Sequence, residues 1–238
     1  MGDITCLFLT INKVPKDWAA YHRDVMLDAV GSHPLITFSR EKMDLPGKQF
    51  RQNDVQSHDK MYRLLLEGAK IATTDYIAIV EDDILYTKEH FDLRPPIDTF
   101  GYNWNRWSLF TWGEPTYSFK RRICGGVGIF PRLEMIDAYE ERFAKWKEIP
   151  HYLNGELGYE KVEKNLGVKV RKSMELYSKT PVVQMHHTYG TPGYGKRVLN
   201  ANDTVDLKER QTRKRMGMVR AHEIPHWGRS EELVKHFI

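Results

Sequence analysis

The run Asp75-Tyr-Ile-Ala-Ile-Val-Glu-Asp-Asp-Ile84 constrains this chain more than any other stretch. Ile77, Ala78, Ile79 and Val80 are apolar without alternation, the pattern of a parallel strand covered by helices on both faces. Glu81, Asp82 and Asp83 then fall at the strand's C-terminal edge, where open α/β sheets bind ligands. Three adjacent carboxylates repel one another unless water or a hard divalent cation compensates them. The run is either an acidic, solvated junction or one wall of a cation site, and the surrounding sequence has to choose.

Before it, Ile4–Ile11 is an apolar, β-rich strand ending at Asn12. A helix follows with Asp17 as its N-cap and Trp18, Tyr21, Val25, Met26 and Leu27 along it, and Leu35–Phe38 is a second strand ending at Ser39 and Arg40. Residues 41–53 are polar and punctuated by glycine and proline, the composition of a loop. Ser57 then caps an amphipathic helix with Met61, Leu64, Leu65, Ala69 and Ile71 on its apolar side. Strand, helix, strand, helix, strand makes two crossover units, and right-handed crossovers bring Thr10–Asn12, Ser39–Arg40 and Glu81–Asp83 to one rim.

After it, Phe91–Pro96 is a connection, and Trp104–Trp112 is aromatic, suited to core packing or to stacking on a ligand. Gly125, Gly126 and Gly128 imply positive φ or a close backbone approach. Their spacing fits neither a dinucleotide fingerprint nor a phosphate-binding loop of the Walker type. A helix from Leu133 to about Lys147 leads to Asn154, placed to cap a helix with Glu156 in its first turn. Pro181–Met185 is the last strand, followed by His186, His187 and the loop Gly190–Arg197.

A chain of 238 residues suits one large α/β domain or one domain with an appendage. Two cysteines in apolar settings argue against a disulfide framework and for a reducing compartment, and no apolar run is long enough to span a bilayer. With no basic-then-apolar leader, the expected location is the cytoplasm, a host's cytoplasm if the gene is a phage's. The net charge of +4 is uneven, concentrated in Lys120–Arg122 and Lys208–Arg220, which are solvated faces or surfaces for a polyanion.

The order of these parts resembles GT-A-fold glycosyltransferases, family-2-like ones in particular. The match runs over roughly residues 3 to 197: a βαβ start, a strand ending in Glu-Asp-Asp, a Gly-Gly-x-Gly segment with a following Arg, a later acidic helix start, and a His before a Gly/Lys/Arg loop. Glu81-x-Asp83 stands where that family has Asp-x-Asp, a departure at the first carboxylate. The resemblance implies a Rossmann-like, mostly parallel central sheet flanked by helices in residues 1–197, with 198–238 a helical extension on or over the active site. It also implies sugar transfer from a nucleotide-sugar, a UDP-sugar first among them, to an acceptor hydroxyl with inversion.

Chemistry assigns the residues. A diphosphate leaving group gains charge as the glycosidic bond breaks, and Mn²⁺ or Mg²⁺ held by Glu81 and Asp83, with His186 or His187 as a nitrogen ligand, would neutralise it. Thr10, Asn12, Arg40, Arg51 and Asp82 are the expected nucleotide contacts, and Lys196 and Arg197 close over the diphosphate. The resemblance places the general base at Glu156, with Glu160 as runner-up. The resemblance implies that the glycine segment faces the acceptor, which makes Gly125, Gly126, Trp112 and Arg122 the expected acceptor contacts. Cations at 120–122 and 208–220, with Trp104, Trp107 and Trp112 between them, suit DNA carrying a hydroxymethylated base; a cell-surface polysaccharide or lipopolysaccharide is the alternative. Outside the transferases, the same carboxylates and histidines would serve a metal-dependent nuclease or phosphatase, and the fold alone would serve a non-catalytic sugar-nucleotide-binding module.

Overall fold

The structure is a computed structural model, and it describes residues 3–53, 57–119, 121–187 and 219–238. The N-terminal half comprises β1 (Ile4–Leu9), α1 (Lys16–Val30), β2 (Leu35–Ser39), β3 (Lys48–Arg51), α2 (His58–Ile71) and β4 (Tyr76–Glu81). Next come β5 (Ile84–Leu85), α3 (Lys88–Phe91), β6 (Thr99–Asn103), β7 (Arg106–Phe110), β8 (Tyr117–Phe119) and β9 (Gly128–Pro131). Then follow α4 (Arg132–Lys145), α5 (Glu160–Leu166), β10 (Lys172–Leu176) and β11 (Val182–His186), and the last described residues form β12 (Val219–Ala221), β13 (Glu223–Ile224), β14 (Gly228–Arg229) and α6 (Ser230–Lys235).

The main sheet has seven strands in the order β10-β6-β9-β4-β1-β2-β3, with the acidic strand β4 in the middle. β4, β1, β2 and β3 are parallel, and β9 runs antiparallel between β4 and β6. Burial on both faces is visible in the side chains. Leu7, Ile77 and Ile79 join the cluster under α2 and α4, whereas Cys6, Phe8, Ala78 and Val80 join the cluster under α1. The fold class expected from the sequence is therefore the one the chain has, a mixed α/β layer structure with a large central sheet flanked by helices.

Several local expectations change. Pro15, not Asp17, stands at the N-cap of α1, because proline supplies the helical φ at the helix entry and Asp17 is left in the first turn. Ser57 does cap α2, accepting from Lys60 N. The segment expected as a loop over 41–53 contains β3, an exposed edge strand whose polar side chains hide its strand character. Asn154 caps no helix: α5 begins only at Glu160, behind Tyr159. Trp104–Trp112 begins one residue past the end of β6 and contains all of β7, and β7 belongs to a second sheet ordered β12-β8-β7-β11-β5. β11 is thus not the last strand. Residues 219–238 are not wholly helical either; they give one strand to this sheet, a β13–β14 hairpin and α6.

A buried polar knot joins the two sheets where β6 ends. Asn103 Nδ2 donates to His90 Nδ1 at 3.1 Å and to Ser178 Oγ at 2.8 Å, and its Oδ1 accepts from Asn105 N at 3.0 Å. Burial pushes the fully enclosed His90 down to about 3. It stays neutral in the folded chain while an unfolded chain binds a proton below about pH 6.5, so stability falls as pH drops from 6.5 towards 3. The expected contribution of His90 to that loss is about 2 kcal/mol by pH 5. Thermal melts between pH 7 and 5 check this, and His90→Gln should flatten the acid side of the curve; an unchanged slope in that variant would assign the loss elsewhere.

Candidate functional site

β1 connects to β2 on one side, and the chain then returns past β1 to β4 on the other, so the C-terminal ends of β1 and β4 diverge at a switch point. Thr10 and the three carboxylates meet there. Thr10 Oγ1 donates a short hydrogen bond to Asp82 Oδ2 and accepts from Asn12 N at 2.9 Å. Asn12 sits in the left-handed region, φ 55°, which asparagine tolerates, and its Oδ1 accepts from Arg40 N at 2.8 Å and Glu41 N at 3.1 Å. The three strand ends expected on one rim are thereby tied together. Asp82 O accepts from Trp18 Nε1 at 2.7 Å, and Asp83 O accepts from Met185 N, also at 2.7 Å. The resulting pocket, about 160 Å³, is lined by Thr10, Lys13, Gln52, Lys60, His187 and all three carboxylates, among others.

The acids raise one another. Although each side chain keeps some exposure, dehydration by the surrounding protein, then Asp83, Glu156 and Asp82, push Glu81 well above the usual carboxylate range. Dehydration and Asp83 likewise push Asp82 up to about 6, against the Thr10 hydrogen bond and His187. Charge crowding of this kind is what a divalent cation relieves. Asp83 Oδ1 is buried with no hydrogen-bond partner, a lone acceptor consistent with that chemistry. Among the described residues, however, no three His, Cys, Asp or Glu side chains are grouped so as to hold a metal ion. One or two of these carboxylates would suit a Mg²⁺ or Mn²⁺ ion only if a bound phosphate supplied further oxygens, because the described residues do not form a closed protein cage.

The two histidines separate: His186 ends β11 and His187 is the first residue past it. His187 Nε2 lies 3.6 Å from Asp83 Oδ2 and lines the acidic pocket. His186, the last residue of β11, turns into the second sheet, where its Nε2 is 2.9 Å from Ser108 Oγ and its ring stacks on Phe110 at 4.6 Å. Of the two histidines offered as the nitrogen ligand, only His187 therefore lines the acidic pocket.

On the other side of Glu81 is a larger cavity of about 750 Å³. Its wall includes Tyr62, Tyr102, Trp104, Tyr139, Arg122, Asn154 and Glu156, and Glu81 lines both cavities. Gly125 and Gly126 form a single 3-10 turn here, and Gly125 N donates to Glu156 Oε1 at 2.9 Å. Tyr86 fixes the turn to β4, its hydroxyl donating to Gly126 O at 2.6 Å and accepting from Glu81 N at 3.0 Å. Two polar atoms of the lining, Trp104 Nε1 and Asn154 Oδ1, are buried without a hydrogen-bond partner.

Other expected residues lie apart. Glu160 is exposed and paired with Lys164 one turn on, at 2.5 Å, because α5 starts with it on the outside. Arg51 is exposed on β3, with Nε donating to Arg40 O at 3.1 Å. Trp112 stands edge-on to Phe110 at 5.5 Å and lines neither cavity. Lys196 and Arg197 lie outside the described residues. Sequence reasoning missed Gln52, whose Nε2 donates to Thr10 O at 3.0 Å, and it took Trp18 for packing alone. Recognising β3 would have put Gln52, one residue beyond its end, on the same rim.

No family model matches the sequence, and no curated protein matches it. Solved structures do. Mannosyltransferase PcManGT from Pyrobaculum calidifontis, solved in complex with GDP-Man and Mn²⁺, is 11% identical with a TM-score of 0.46, over 98% of this chain and 68% of that one. A glycosyltransferase involved in glycosylation of the major capsid of PBCV-1 is 12% identical with a TM-score of 0.43, over 76% of this chain and 91% of that one. The bifunctional IspDF from Campylobacter jejuni is 7% identical with a TM-score of 0.38, over 75% of this chain, which spans only 50% of that protein. Likeness at this level describes a shared layout and says nothing of this chain's substrates.

The shared carboxylate wall is sterically tight. A Cβ on Gly126 would run into Glu81 Oε2 and come within 2.6 Å of Ile84 Cδ1, which is fully buried. Gly126→Ala should therefore cost about 1–3 kcal/mol in urea unfolding, the usual size of an overpacking penalty. An unchanged unfolding midpoint would show that Glu81 moves aside freely.

Proposed function

We propose that this chain is a glycosyltransferase that moves a sugar from a nucleotide-sugar donor to an acceptor hydroxyl, with Glu156 as general base and inversion at the anomeric carbon. The observation that carries the reading is the position of Glu156: its carboxylate is held by Gly125 N in the wall of the larger cavity, which meets the acidic pocket at Glu81. A donor with its diphosphate against Asp83 and Glu81 would have its sugar beside that shared wall, with Thr10 and Asn12 beside its nucleoside. The bound cation would supply charge neutralisation for the departing diphosphate. Glu156 takes the acceptor's hydroxyl proton as the acceptor oxygen bonds to the anomeric carbon; the bond from that carbon to the phosphate oxygen breaks, and its electron pair leaves with the nucleoside diphosphate.

Among acceptors, the lining of the larger cavity favours a saccharide hydroxyl. Aromatic walls suit the C–H faces of a sugar ring, and Trp104 Nε1 and Asn154 Oδ1 offer it a donor and an acceptor. Two carboxylates, Glu81 and Glu156, oppose a polyphosphate backbone there. Of the cations that suggested DNA, Lys120 and residues 208–218 lie outside the described residues, and Arg121 is bound to Glu175 at 2.8 Å. Labelled sugar entering hydroxymethylated DNA but no saccharide would reverse this preference.

Two variants test the chemistry with a panel of sugar nucleotides. Asp83→Asn should abolish transfer and the rise in melting temperature given by donor plus Mn²⁺, while leaving the apo melting temperature near that of the parent. Full activity in that variant would remove Asp83 from the donor site. Glu156→Gln should keep that donor-induced stabilisation and lose transfer by about 10²-fold or more. Cleavage of phosphodiesters or phosphomonoesters without any sugar nucleotide would point instead to a hydrolase.

A further inference from the structure

Glu156 belongs to no helix or strand, yet the backbone around it is held at every carbonyl. Arg142 Nη1 donates to Gly155 O at 2.8 Å and Nη2 to Glu156 O at 3.1 Å. Tyr102 Oη donates to Leu157 O at 2.6 Å, and Ser173 Oγ donates to Gly158 O at 2.9 Å. Glu163 Oε1 accepts from Gly158 N at 2.8 Å, and its Oε2 accepts from Arg171 N at 2.7 Å. Arg142 and Glu163 also face each other at 3.6 Å, with side chains 1% and 0% exposed. Sequestering an arginine and a glutamate costs several kcal/mol per ion unless hydrogen bonds satisfy both, and apolar residues would fill the same space more cheaply. Here Arg142 spends both terminal nitrogens on the carbonyls of Gly155 and Glu156, and Glu163 divides its oxygens between Gly158 N, two residues beyond Glu156, and Arg171 N. We infer that the buried Arg142–Glu163 pair is a positioning device for the Glu156 carboxylate.

The inference rests on the reading of Glu156 as general base. Its logic is geometric: proton transfer requires the base within hydrogen-bond reach of the hydroxyl, and a displacement of about 1 Å can cost 10²-fold in rate. A four-residue irregular segment would wander by more than that without fixed carbonyls. Arg142's planar fork reaches two successive carbonyls, which a lysine's single ammonium on a flexible stem does not hold in one geometry. Because α4 carries Arg142, α5 carries Glu163, β6 carries Tyr102 and β10 carries Ser173, four elements converge on the segment.

The test is a double-mutant cycle on transfer at saturating donor and acceptor. Arg142→Lys should lower kcat at least tenfold while the donor Kd stays within twofold. Glu163→Gln, nearly isosteric, should do the same to a smaller degree and stands in if Arg142→Lys does not fold. Val30→Ala, at a core position lining neither cavity, supplies a control of comparable thermal stability whose kcat should not change. If Arg142 acts through Glu156, Arg142→Lys combined with Glu156→Gln should be no slower than Glu156→Gln alone. A kcat in both Arg142→Lys and Glu163→Gln no lower than that of Val30→Ala would overturn the inference, as would multiplicative effects in the double variant. Retained transfer in Glu156→Gln would overturn the reading of the base, and the positioning role with it, whatever Arg142 does.

Discussion

Three carboxylates at the end of one buried strand are the constraint on which the rest of the structure depends. Each dehydrated charge raises the free energy of the next, and burial with mutual repulsion drives Glu81 and Asp82 towards protonation. The surrounding protein answers with polar partners for Asp82 and for the backbone of the cluster. Thr10 reaches Asp82 from β1, Trp18 from α1 holds its carbonyl, and Met185 N from β11 holds the carbonyl of Asp83. What these contacts leave is Asp83 Oδ1 without a partner. A stable fold has no need of that atom in that state; on the proposed function it is the acceptor that a bound cation would use.

The central part of this arrangement was legible in the sequence because it rests on strong local patterns. An unbroken Ile-Ala-Ile-Val run specifies a two-sided strand, the Ser57 cap specifies where α2 begins, and right-handed crossovers then leave little choice about which ends share a rim. Thr10, Asn12 and Arg40 follow from topology alone. The same reasoning failed where tertiary contacts override local signals. β3 is a polar edge strand of four residues, and β5, β13 and β14 have two each, too short for any period to show. Pairing partners distant in sequence make them strands, and a single sequence does not display those partners.

Asn154 and His186 are instructive misreadings. Asn154 precedes an acidic residue, as a cap would, but Gly155 and Gly158 keep the following segment out of a helix, Gly158 with a φ of 70°. His186 and His187 are equivalent in composition; His186 is the last residue of β11 and His187 the first beyond it, and that one step along the chain separates them. The buried partners of the Glu156 segment were the least readable of all. Arg142 sits on an amphipathic helix among charged neighbours, and nothing in its local sequence distinguishes a solvated arginine from one that is 1% exposed.

That irregularity has a physical rationale. Had Glu156 stood in the first turn of a helix, its carboxylate would have been drawn to that helix's own free N–H groups and aimed along its axis. Released from the helix, it takes its hydrogen bond from Gly125 N, in the turn that Tyr86 fastens to the acidic strand. The position of Glu156 is therefore referenced to β4 through Gly125 and Tyr86, and to α4, α5, β6 and β10 through its own backbone. Glu81 stands between the two cavities at the same turn. The backbone atoms that position Glu156 are thereby tied to the strand that carries the acids.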